Sequence, residues 1–297
     1  MSRPNPHVEQ QTGRAYVAWV VVCLVWGTTY LAIRIALETV PPMLMADIRW
    51  VIAGAILAGV LMIRGVRLPS RQAWPTLATL GVLMTSVGNG GVVWAEQTVP
   101  SGLAALLVAV VPFWMVGTER VLQAEPIGVR RAVGLVIGFA GTVFLVWPEL
   151  GRPSGKGMAA GVAATQLACL GWAVGSAYSR RRRTDENVLG AAALQMLFGG
   201  GLLLVVGLVL GEGPALLFTP RTATAVAYLI AAGSIAAYSA YLYALKHLPV
   251  ATVSLYAYVN PVIAVVLGAL VLGEPLNPRI AVAGATVLAG MILVNHA

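Results

Sequence analysis

The chain has 297 residues, of which 59% are hydrophobic and only 10% are charged, with a formal net charge of +8. A soluble domain carries about 25% charged residues, and a soluble core of this length could not cover so much apolar surface. The composition therefore excludes an ordinary water-soluble protein and makes the lipid bilayer the expected solvent. The positive charges lie between apolar runs rather than in one patch, which argues against nucleic acid as a partner.

Ten apolar segments follow one another along the chain, each near the roughly 20 residues that cross the hydrocarbon core of a bilayer. Prolines mark most of the connections between them. The predicted spans are 15–37, 42–64, 73–95, 101–121, 127–148, 156–179, 188–211, 222–246, 251–272 and 278–296. Residues 1–14 lack the apolar stretch and cleavage site of a signal peptide and are predicted to form a cytoplasmic tail. The expected fold is an all-α integral membrane protein with ten transmembrane helices.

The sequence contains an internal duplication. The segment Cys23–Trp26 recurs 146 residues later as Cys169–Trp172. A second set of residues recurs with a spacing of 149: Ala95, Pro100, Pro112, Glu125 and Gly141 correspond to Ala244, Pro249, Pro261, Glu274 and Gly290. We therefore predict two five-helix repeats, 15–148 and 149–297. Because five is odd, the second repeat enters the membrane with inverted orientation, as in many secondary transporters, with the substrate site between the halves.

The distribution of lysine and arginine predicts the orientation in the membrane, because cytoplasmic loops carry an excess of these residues. If the first span leaves the cytoplasm, the cytoplasmic segments hold 13 of them and the opposite side holds 4. The sequence therefore predicts that both termini are cytoplasmic. Arg34 is expected to extend from the outer end of the first span toward the membrane surface.

Two tryptophans at equivalent positions are the first candidates for a substrate site. Trp26 and Trp172 lie near the middle of their spans, where an indole N–H needs a hydrogen-bond partner or a cavity. The alternative is simple packing between helices. A facing aromatic pair would suit a flat or apolar substrate.

Further polar candidates lie in the third, eighth and ninth spans. Tyr256 and Asn260 are four residues apart and share a helix face, as do Tyr238 and Tyr241, which are three apart. Asn89 is the 149-residue equivalent of Tyr238. These side chains either bind substrate or form hydrogen bonds between helices, and Asn260 has the further alternative of satisfying the helix break at Pro261.

Pro112 and Pro261 lie inside their spans at equivalent points, so both helices are expected to kink or open there. We predict that they act as hinges in the transport cycle. Three charged residues are candidates for an ion pair or for ion coupling: Asp47, Arg49 and Glu96. Arg49 is expected either in a structural ion pair near the outer interface, which we favour, or facing a substrate carboxylate or Glu96. Asp47 and Glu96 both map to the outer third of the membrane.

The sequence offers no catalytic site, metal site or cofactor motif. No cluster of His and Cys has the spacing of metal ligands, and no Gly-rich phosphate loop or Ser/His/Asp set occurs. Cys23 and Cys169 are interpreted as buried free thiols. Transport driven by ATP is not indicated, so any transport would use gradients.

Several short motifs together resemble the EamA-type branch of the drug/metabolite transporter superfamily. They are Trp26–Tyr30 in the first span, Pro100–Ala104 opening the fourth, Asn260-Pro261 in the ninth and Gly273-Glu274-Pro275 before the tenth. The resemblance covers nearly the whole chain and is closest to bacterial inner-membrane exporters. It implies export of amino acids and related metabolites, some of them aromatic, from a central cavity lined by spans one, three, four, six, eight and nine.

The leading hypothesis is therefore a secondary transporter that exports small metabolites, most readily aromatic or neutral amino acids, as a uniporter or exchanger. It would act in the bacterial inner membrane as a monomer or a homodimer, with a small molecule and the lipid bilayer as its partners. One alternative is proton-coupled efflux of drugs or cationic amphiphiles, which would favour a carboxylate deep in the cavity. An intramembrane enzyme is a third class, but it would need an Asp pair, a His cluster or a Ser/His pair at matched depth.

Overall fold

A computed structural model describes residues 6–123, 128–150, 155–182, 187–274 and 278–295, and every regular element within them is helical. The α-helices are α1 (Pro6–Ala36), α2 (Pro42–Ile63), α3 (Trp74–Leu80), α4 (Gly91–Ala95), α5 (Ser101–Val108), α6 (Val111–Gln123), α7 (Val129–Leu150), α8 (Gly155–Arg181), α9 (Val188–Val209), α10 (Pro220–Tyr228), α11 (Ala237–His247), α12 (Val250–Ser254), α13 (Tyr256–Leu272) and α14 (Pro278–Asn295). Two π-helices, Gly81–Gly90 and Leu229–Ala236, join α3 to α4 and α10 to α11. Short 3-10 turns occupy Arg71–Ala73 and Gly213–Ala215.

Eight helical segments of the described residues are long and apolar enough to cross a membrane. They are Gln11–Ala36, Pro42–Ile63, Arg71–Ala95, Ser101–Thr118, Gly157–Arg181, Val188–Val209, Pro220–His247 and Thr252–Leu272. The α7 and α14 helices contain shorter apolar stretches, Ala132–Gly141 and Pro278–Gly290. The all-helical class is confirmed, whereas the count of ten spans stays a prediction.

The first helix starts earlier than the sequence suggested. It begins at Pro6, so part of the segment 1–14, predicted as a tail, is helical. Proline is well tolerated in the first turn of a helix, because the N–H it lacks has no intrahelical partner there. Residues 1–5 of the predicted tail lie outside the described part of the chain.

The outer surface of the bundle is rich in large apolar side chains. Leu24, Ile63 and Leu270 are 56%, 88% and 78% exposed, and many further aliphatic and aromatic residues are exposed on the other helices. Contiguous exposure of this extent is unfavourable in water but suits contact with lipid tails. The surface thus agrees with a chain that spans the bilayer several times.

The two halves of the chain meet through close helix contacts at glycines. A Cβ atom placed on Gly54 of α2 would lie 3.0 Å from the Cβ of Met196, and one on Gly200 of α9 would lie 3.0 Å from the Cβ of Trp50. Both pairs of equivalent residues, Gly54 with Gly200 and Trp50 with Met196, are 146 residues apart. The contact between α2 and α9 is therefore reciprocal, which means that the duplication seen in the sequence is also a two-fold relation in space.

The helices α7 and α14, which end the two halves, pack in a similar way. A Cβ on Gly290 would lie 2.6 Å from the backbone oxygen of Gly134, and one on Gly141 would lie 3.1 Å from Thr286. Small residues at such crossings allow backbones to approach closely, which is how helices associate in lipid. Elsewhere in the bundle, α1 packs against α11 and α13, and α8 packs against the first π-helix and α6.

Four of the membrane-spanning segments are either interrupted or widened into π-helix. Ala109 and Val110 separate α5 from α6 immediately before Pro112, as expected for a break at this proline. In the second half the break falls at Leu255, between α12 and α13, and Pro261 lies inside α13. The two π-helices overlap when the 149-residue spacing is applied, so this wide helical form is also duplicated. Such segments are rare and frequently occur at functional sites.

Candidate functional site

A cavity lies between the two halves of the bundle. It contains about 590 Å³ of space free of protein atoms, counting its open mouth. Its walls come from α1, α2, the first π-helix, α4, α5, α6, α8 and α13, and the lining residues are Trp26, Thr29, Tyr30, Ile33, Arg49, Trp50, Gly88, Asn89, Val92, Val108, Val111, Ala168, Cys169, Trp172, Tyr256 and Asn260.

The cavity brings together most of the residues that the sequence predicted to bind substrate. Trp26, Asn89, Trp172, Tyr256 and Asn260 all line it. They come from α1, the first π-helix, α8 and α13, and the two tryptophans are contributed by the two halves. Their role in binding a substrate remains a prediction, but the predicted grouping of these side chains in one place agrees with the geometry.

Trp26 is the centre of an aromatic cluster in this cavity. Its ring centroid lies 5.3 Å from that of Trp172 and 5.2 Å from that of Tyr256, in both cases edge to face. This arrangement sets the positive edge of one ring against the negative face of another. The Trp26 indole N–H donates to the backbone oxygen of Gly233 in the second π-helix at 3.1 Å, so its polar atom is satisfied without substrate.

Tyr238 and Tyr241, also predicted to bind substrate, lie behind the cavity wall. Both are fully buried. The Tyr241 hydroxyl accepts a hydrogen bond from the Trp172 indole at 3.1 Å and is paired with the Ser176 hydroxyl at 2.9 Å. The Tyr238 hydroxyl donates to Oε1 of Gln195 at 2.6 Å. Because a buried hydroxyl needs a partner, these contacts draw both tyrosines toward α8 and α9 and away from the cavity.

The resemblance implied that the eighth span lines the cavity, and in this respect the structure differs. The segment Pro220–His247 contributes none of the lining side chains among the described residues, whereas α2 contributes Arg49 and Trp50. The second π-helix instead acts from behind the wall. Its Gly233 carbonyl accepts from Trp26, and its Ser234 hydroxyl accepts from Nε of Arg49 at 2.7 Å.

Asn260 forms a contact between two helices. With its amide nitrogen as the donor, it bonds the backbone oxygens of Cys23 at 2.9 Å and Tyr256 at 3.2 Å. The side chain thus connects α13 to α1. The carbonyl that Pro261 leaves without a helical donor is that of Ala257, four residues earlier, so these bonds do not show that Asn260 satisfies the break. Asn260 also borders the cavity, and its binding of substrate stays a prediction.

Arg49 is buried in the cavity wall rather than paired near the membrane surface. It is 1% exposed, and its Nη1 donates to Oδ1 of Asn89 at 3.3 Å. The guanidinium carbon lies 4.6 Å from the ring centroid of Trp50, a cation–π distance. Among the described residues no carboxylate lies within 4.0 Å of Arg49, so the favoured expectation of a structural ion pair is not met in this structure.

The carboxylates of Asp47 and Glu96 lie outside the cavity wall. Asp47 is 5% exposed, and its Oδ1 has no hydrogen-bond partner among the described residues. Glu96, which follows the segment Arg71–Ala95, is fully buried, and neither of its carboxylate oxygens has such a partner. Burial raises the pKa of Glu96 well above its usual value, because desolvation disfavours the charged form.

Two further charged side chains, Arg34 and Glu274, bind backbone groups. Arg34 donates to the backbone oxygen of Glu96 and to that of Gln97, the latter at 3.1 Å, so it caps the end of α4. The carboxylate of Glu274 accepts from the backbone N–H of Ser101 at 2.8 Å and from that of Gly102 at 3.2 Å. The sequence pattern gave no signal for this cap, because its partners are far apart in the chain.

The described residues offer no site for a metal ion. No group of three or more His, Cys, Asp or Glu side chains among them could hold one. Cys23 and Cys169 are both buried free thiols, as the sequence suggested. The chemistry of the cavity is therefore that of aromatic rings, amides, hydroxyls and one guanidinium.

Comparison with known proteins gives the family. The EamA-like transporter family matches residues 13–147 and 159–296, so the family unit occurs twice. An Escherichia coli K12 protein, "Uncharacterized inner membrane transporter YedA", is 37% identical over 255 residues, which cover 86% of this chain and 81% of the relative. "Protein PecM" of Dickeya dadantii is 28% identical over 273 residues, covering 91% of this chain and 89% of that protein.

A solved crystal structure has the same fold. It superposes with a TM-score of 0.69 at 23% sequence identity and covers 94% of this chain and 95% of its own. The duplicated family match, the YedA relative and the apolar helices together confirm the resemblance seen in the motifs. The chain belongs to the EamA-like transporter family, within the drug/metabolite transporter superfamily.

Proposed function

We propose that this protein is a secondary transporter that exports small metabolites, most readily aromatic or neutral amino acids, by alternating access. The observation that carries the proposal is the cavity between the two repeats, in which Trp26, Trp172 and Tyr256 form an aromatic wall beside polar groups. A site at the interface of two repeats can be exposed to either side of the membrane when the repeats move against each other.

The transport is proposed to run on gradients, as a uniporter or an exchanger. The sequence contains no phosphate-binding loop for ATP. Among the described residues that line the cavity, none is an Asp, Glu or His that could carry a proton with the substrate. Recognition then rests on rings, amides, hydroxyls and Arg49.

The protein is proposed to lie in the bacterial inner membrane with ten spans in inverted repeats, 15–148 and 149–297, and with both termini in the cytoplasm. The relative named as an inner membrane transporter and the charge bias of 13 to 4 support this arrangement. A reporter fused after Ala297 should be active only in the cytoplasm. Cysteines placed at Gln97, which is exposed, and at Gly151 should react with impermeant reagents in intact cells, and labelling only after permeabilisation would reverse the orientation.

Proton-coupled efflux is the second candidate, and one observation favours it. Glu96 is a fully buried carboxylate without hydrogen-bond partners among the described residues, which is the type of group that binds and releases a proton as its surroundings change. Its position outside the cavity wall is the reason that we rank exchange first. Uphill accumulation driven by a pH gradient alone, and lost in Glu96→Gln, would establish coupling through this residue.

The test of the function is uptake into proteoliposomes. Purified protein is reconstituted into vesicles, and labelled amino acids, aromatic acids or cationic drugs are added outside. Each compound is tested with empty vesicles and with vesicles preloaded with the same compound without label. Saturable transport with accelerated exchange is expected for at least one aromatic or neutral amino acid or a related metabolite. Protein-free vesicles and a double variant, Trp26→Ala with Trp172→Ala, are the controls. Saturable transport of cationic drugs alone would replace the proposal with the efflux alternative.

A further inference from the structure

The described residues that line the cavity include one positive charge and no negative charge. Arg49 is the one lining residue with a formal charge among those described, and no carboxylate of the described residues lies within 4.0 Å of it. A buried guanidinium that has lost its water is costly unless a counter-ion or a full set of hydrogen bonds replaces the water. The neutral partners Ser234 and Asn89 satisfy it only in part.

The hydrogen bonds of Arg49 use Nε and Nη1 and leave Nη2, which packs beside Gly233, without a partner among the described residues. Nε donates to the Ser234 hydroxyl at 2.7 Å, and Nη1 donates to Oδ1 of Asn89 at 3.3 Å. None of the hydrogen bonds made by the described residues uses Nη2. Asn89 also accepts from the Trp50 indole at 2.9 Å, so the group that positions Arg49 is itself fixed. A planar guanidinium held in this way is suited to a carboxylate, which can accept two N–H groups at once.

The second half of the chain has two uncharged side chains at the positions equivalent to Arg49 and Asn89. The residue 146 positions after Arg49 is Gln195, and the residue 149 positions after Asn89 is Tyr238. These two bond each other at 2.6 Å and are buried behind the wall. The same pair of positions is thus a neutral contact behind the wall in one half and a cationic contact that lines the cavity in the other. Two-fold packing alone therefore does not require the arginine.

We propose that the cavity recognises an aromatic monocarboxylate, with the carboxylate on Arg49 and the ring against the cluster of Trp26, Trp172 and Tyr256. The inference rests on the proposed transport function and, among the small metabolites proposed there, ranks aromatic acids without an amino group ahead of the aromatic amino acids. Since no lining residue supplies a negative charge, the site has no fixed partner for an ammonium group. An aromatic acid that lacks the amino group should therefore bind better than the corresponding amino acid, and the corresponding amine should bind worst.

Glu96 is the alternative counter-ion for Arg49. Glu96 has other charged neighbours, however: Arg34 donates to its backbone oxygen, and Glu274 also acts on its carboxylate. If Glu96 were the partner that Arg49 requires, removing its charge would disturb the cavity. If the partner is the substrate, Glu96→Gln should leave the preference for carboxylates intact.

Three probes of one skeleton test the inference: 3-phenylpropanoate, phenylalanine and 2-phenylethylamine, which carry a carboxylate, both charges and an ammonium. Binding is measured by calorimetry in detergent and transport by uptake into proteoliposomes. The expected order is 3-phenylpropanoate first, phenylalanine second and 2-phenylethylamine last. The expected loss of affinity for 3-phenylpropanoate in Arg49→Gln is about 10- to 100-fold, the range for removing hydrogen bonds to a charged group. Arg49→Lys should lose less, because it keeps the charge but not the fork.

A second variant keeps the test decisive where Arg49→Gln does not fold. Asn89→Asp has nearly the same shape and puts a carboxylate on the fork of Arg49, so it should exclude the substrate carboxylate as strongly as Arg49→Gln does. The matched control is Arg221→Gln, which removes an arginine from an exposed ion pair with Glu38 and leaves the cavity untouched. It should bind all three probes as the wild type does.

The outcomes separate this inference from the proposed function. Absence of 3-phenylpropanoate binding, equal affinity for the amine and the carboxylate, or unchanged carboxylate affinity in both Arg49→Gln and Asn89→Asp would each overturn the inference. The transport proposal would survive any of these results if the wider panel of metabolites were still exchanged. If no compound of that panel were transported while 3-phenylpropanoate bound through Arg49, the transport proposal would fail and the binding site would stand.

Discussion

Glu274 should contribute strongly to the stability of the bundle, because it caps a helix that has no side-chain cap of its own. The α5 helix follows Pro100, whose side chain cannot accept a hydrogen bond. The Glu274 carboxylate accepts from the backbone N–H of Ser101 and Gly102 at 2.8 and 3.2 Å, and from the Ser101 hydroxyl at 2.9 Å. It therefore joins the end of α13 to the start of α5, across 173 residues of chain.

The magnitude follows from the parts of this contact. Loss of a helix cap costs about 1 kcal/mol, and loss of the favourable carboxylate–helix-dipole interaction adds about 0.3–1 kcal/mol. The Ser101 hydroxyl loses its partner as well, which adds about 0.5–1.5 kcal/mol. We expect Glu274→Ala to lower the free energy of unfolding by about 2–3 kcal/mol. Glu274→Gln should cost about 1 kcal/mol, because the amide oxygen still accepts from Ser101 but the charge is gone.

The measurement is equilibrium unfolding in mixed micelles with increasing SDS, followed by tryptophan fluorescence. Glu212→Ala serves as a matched control of the same kind, since that carboxylate caps α2 through the N–H of Met43 and Leu44 at 3.3 and 2.9 Å. Glu38→Ala removes a carboxylate from an exposed ion pair and should have little effect. Wild-type stability in Glu274→Ala, with a measurable loss in Glu212→Ala, would refute the reasoning.

Three further predictions concern the cavity and the helix breaks. Trp26→Ala and Trp172→Ala should each weaken substrate affinity by about 1–3 kcal/mol, and Phe replacements should be milder; wild-type affinity in both alanine variants would assign these residues to packing. Pro112→Ala and Pro261→Ala should lower the transport rate more than the folded yield, and wild-type rates in both would remove the prolines from the cycle. Since burial raises the pKa of Glu96, the folded state retains a proton that the unfolded state releases. Stability should be greatest below the usual pKa of glutamate and fall as the pH rises through the raised value, and an unchanged pH profile in Glu96→Gln would contradict this.

The sequence predicted the features that depend on periodicity and duplication. Apolar segments of membrane length predicted the positions of the long helices. The two tryptophans at equivalent positions predicted residues that line the cavity, because the duplication places them at a fixed spacing. The break before Pro112 was expected because proline removes a backbone donor, but the equivalent Pro261 lies inside α13, so a proline alone does not decide where a helix is interrupted.

Other features of the site depend on which side chains meet across the bundle, and spacing does not contain this information. Tyr238 and Tyr241 share a helix face as predicted, but their hydroxyls are bound by Gln195 and Trp172 from other helices. Arg49 was expected to find a carboxylate and instead meets Ser234, which lies on the second π-helix. Neither π-helix was anticipated, because its wide turn depends on contacts with neighbouring helices rather than on the residues within it.

The glycine contacts between α2 and α9, and between α7 and α14, have a consequence for how the molecule assembles. At Gly54, Gly200 and Gly290 the backbones of the two halves approach so closely that neither half can complete these surfaces by itself. Each repeat is therefore a partial folding unit whose missing surface is supplied by the other. A chain cut between the repeats should regain its native contacts when both pieces are produced together, while either piece alone would pair with a second copy of itself or be degraded.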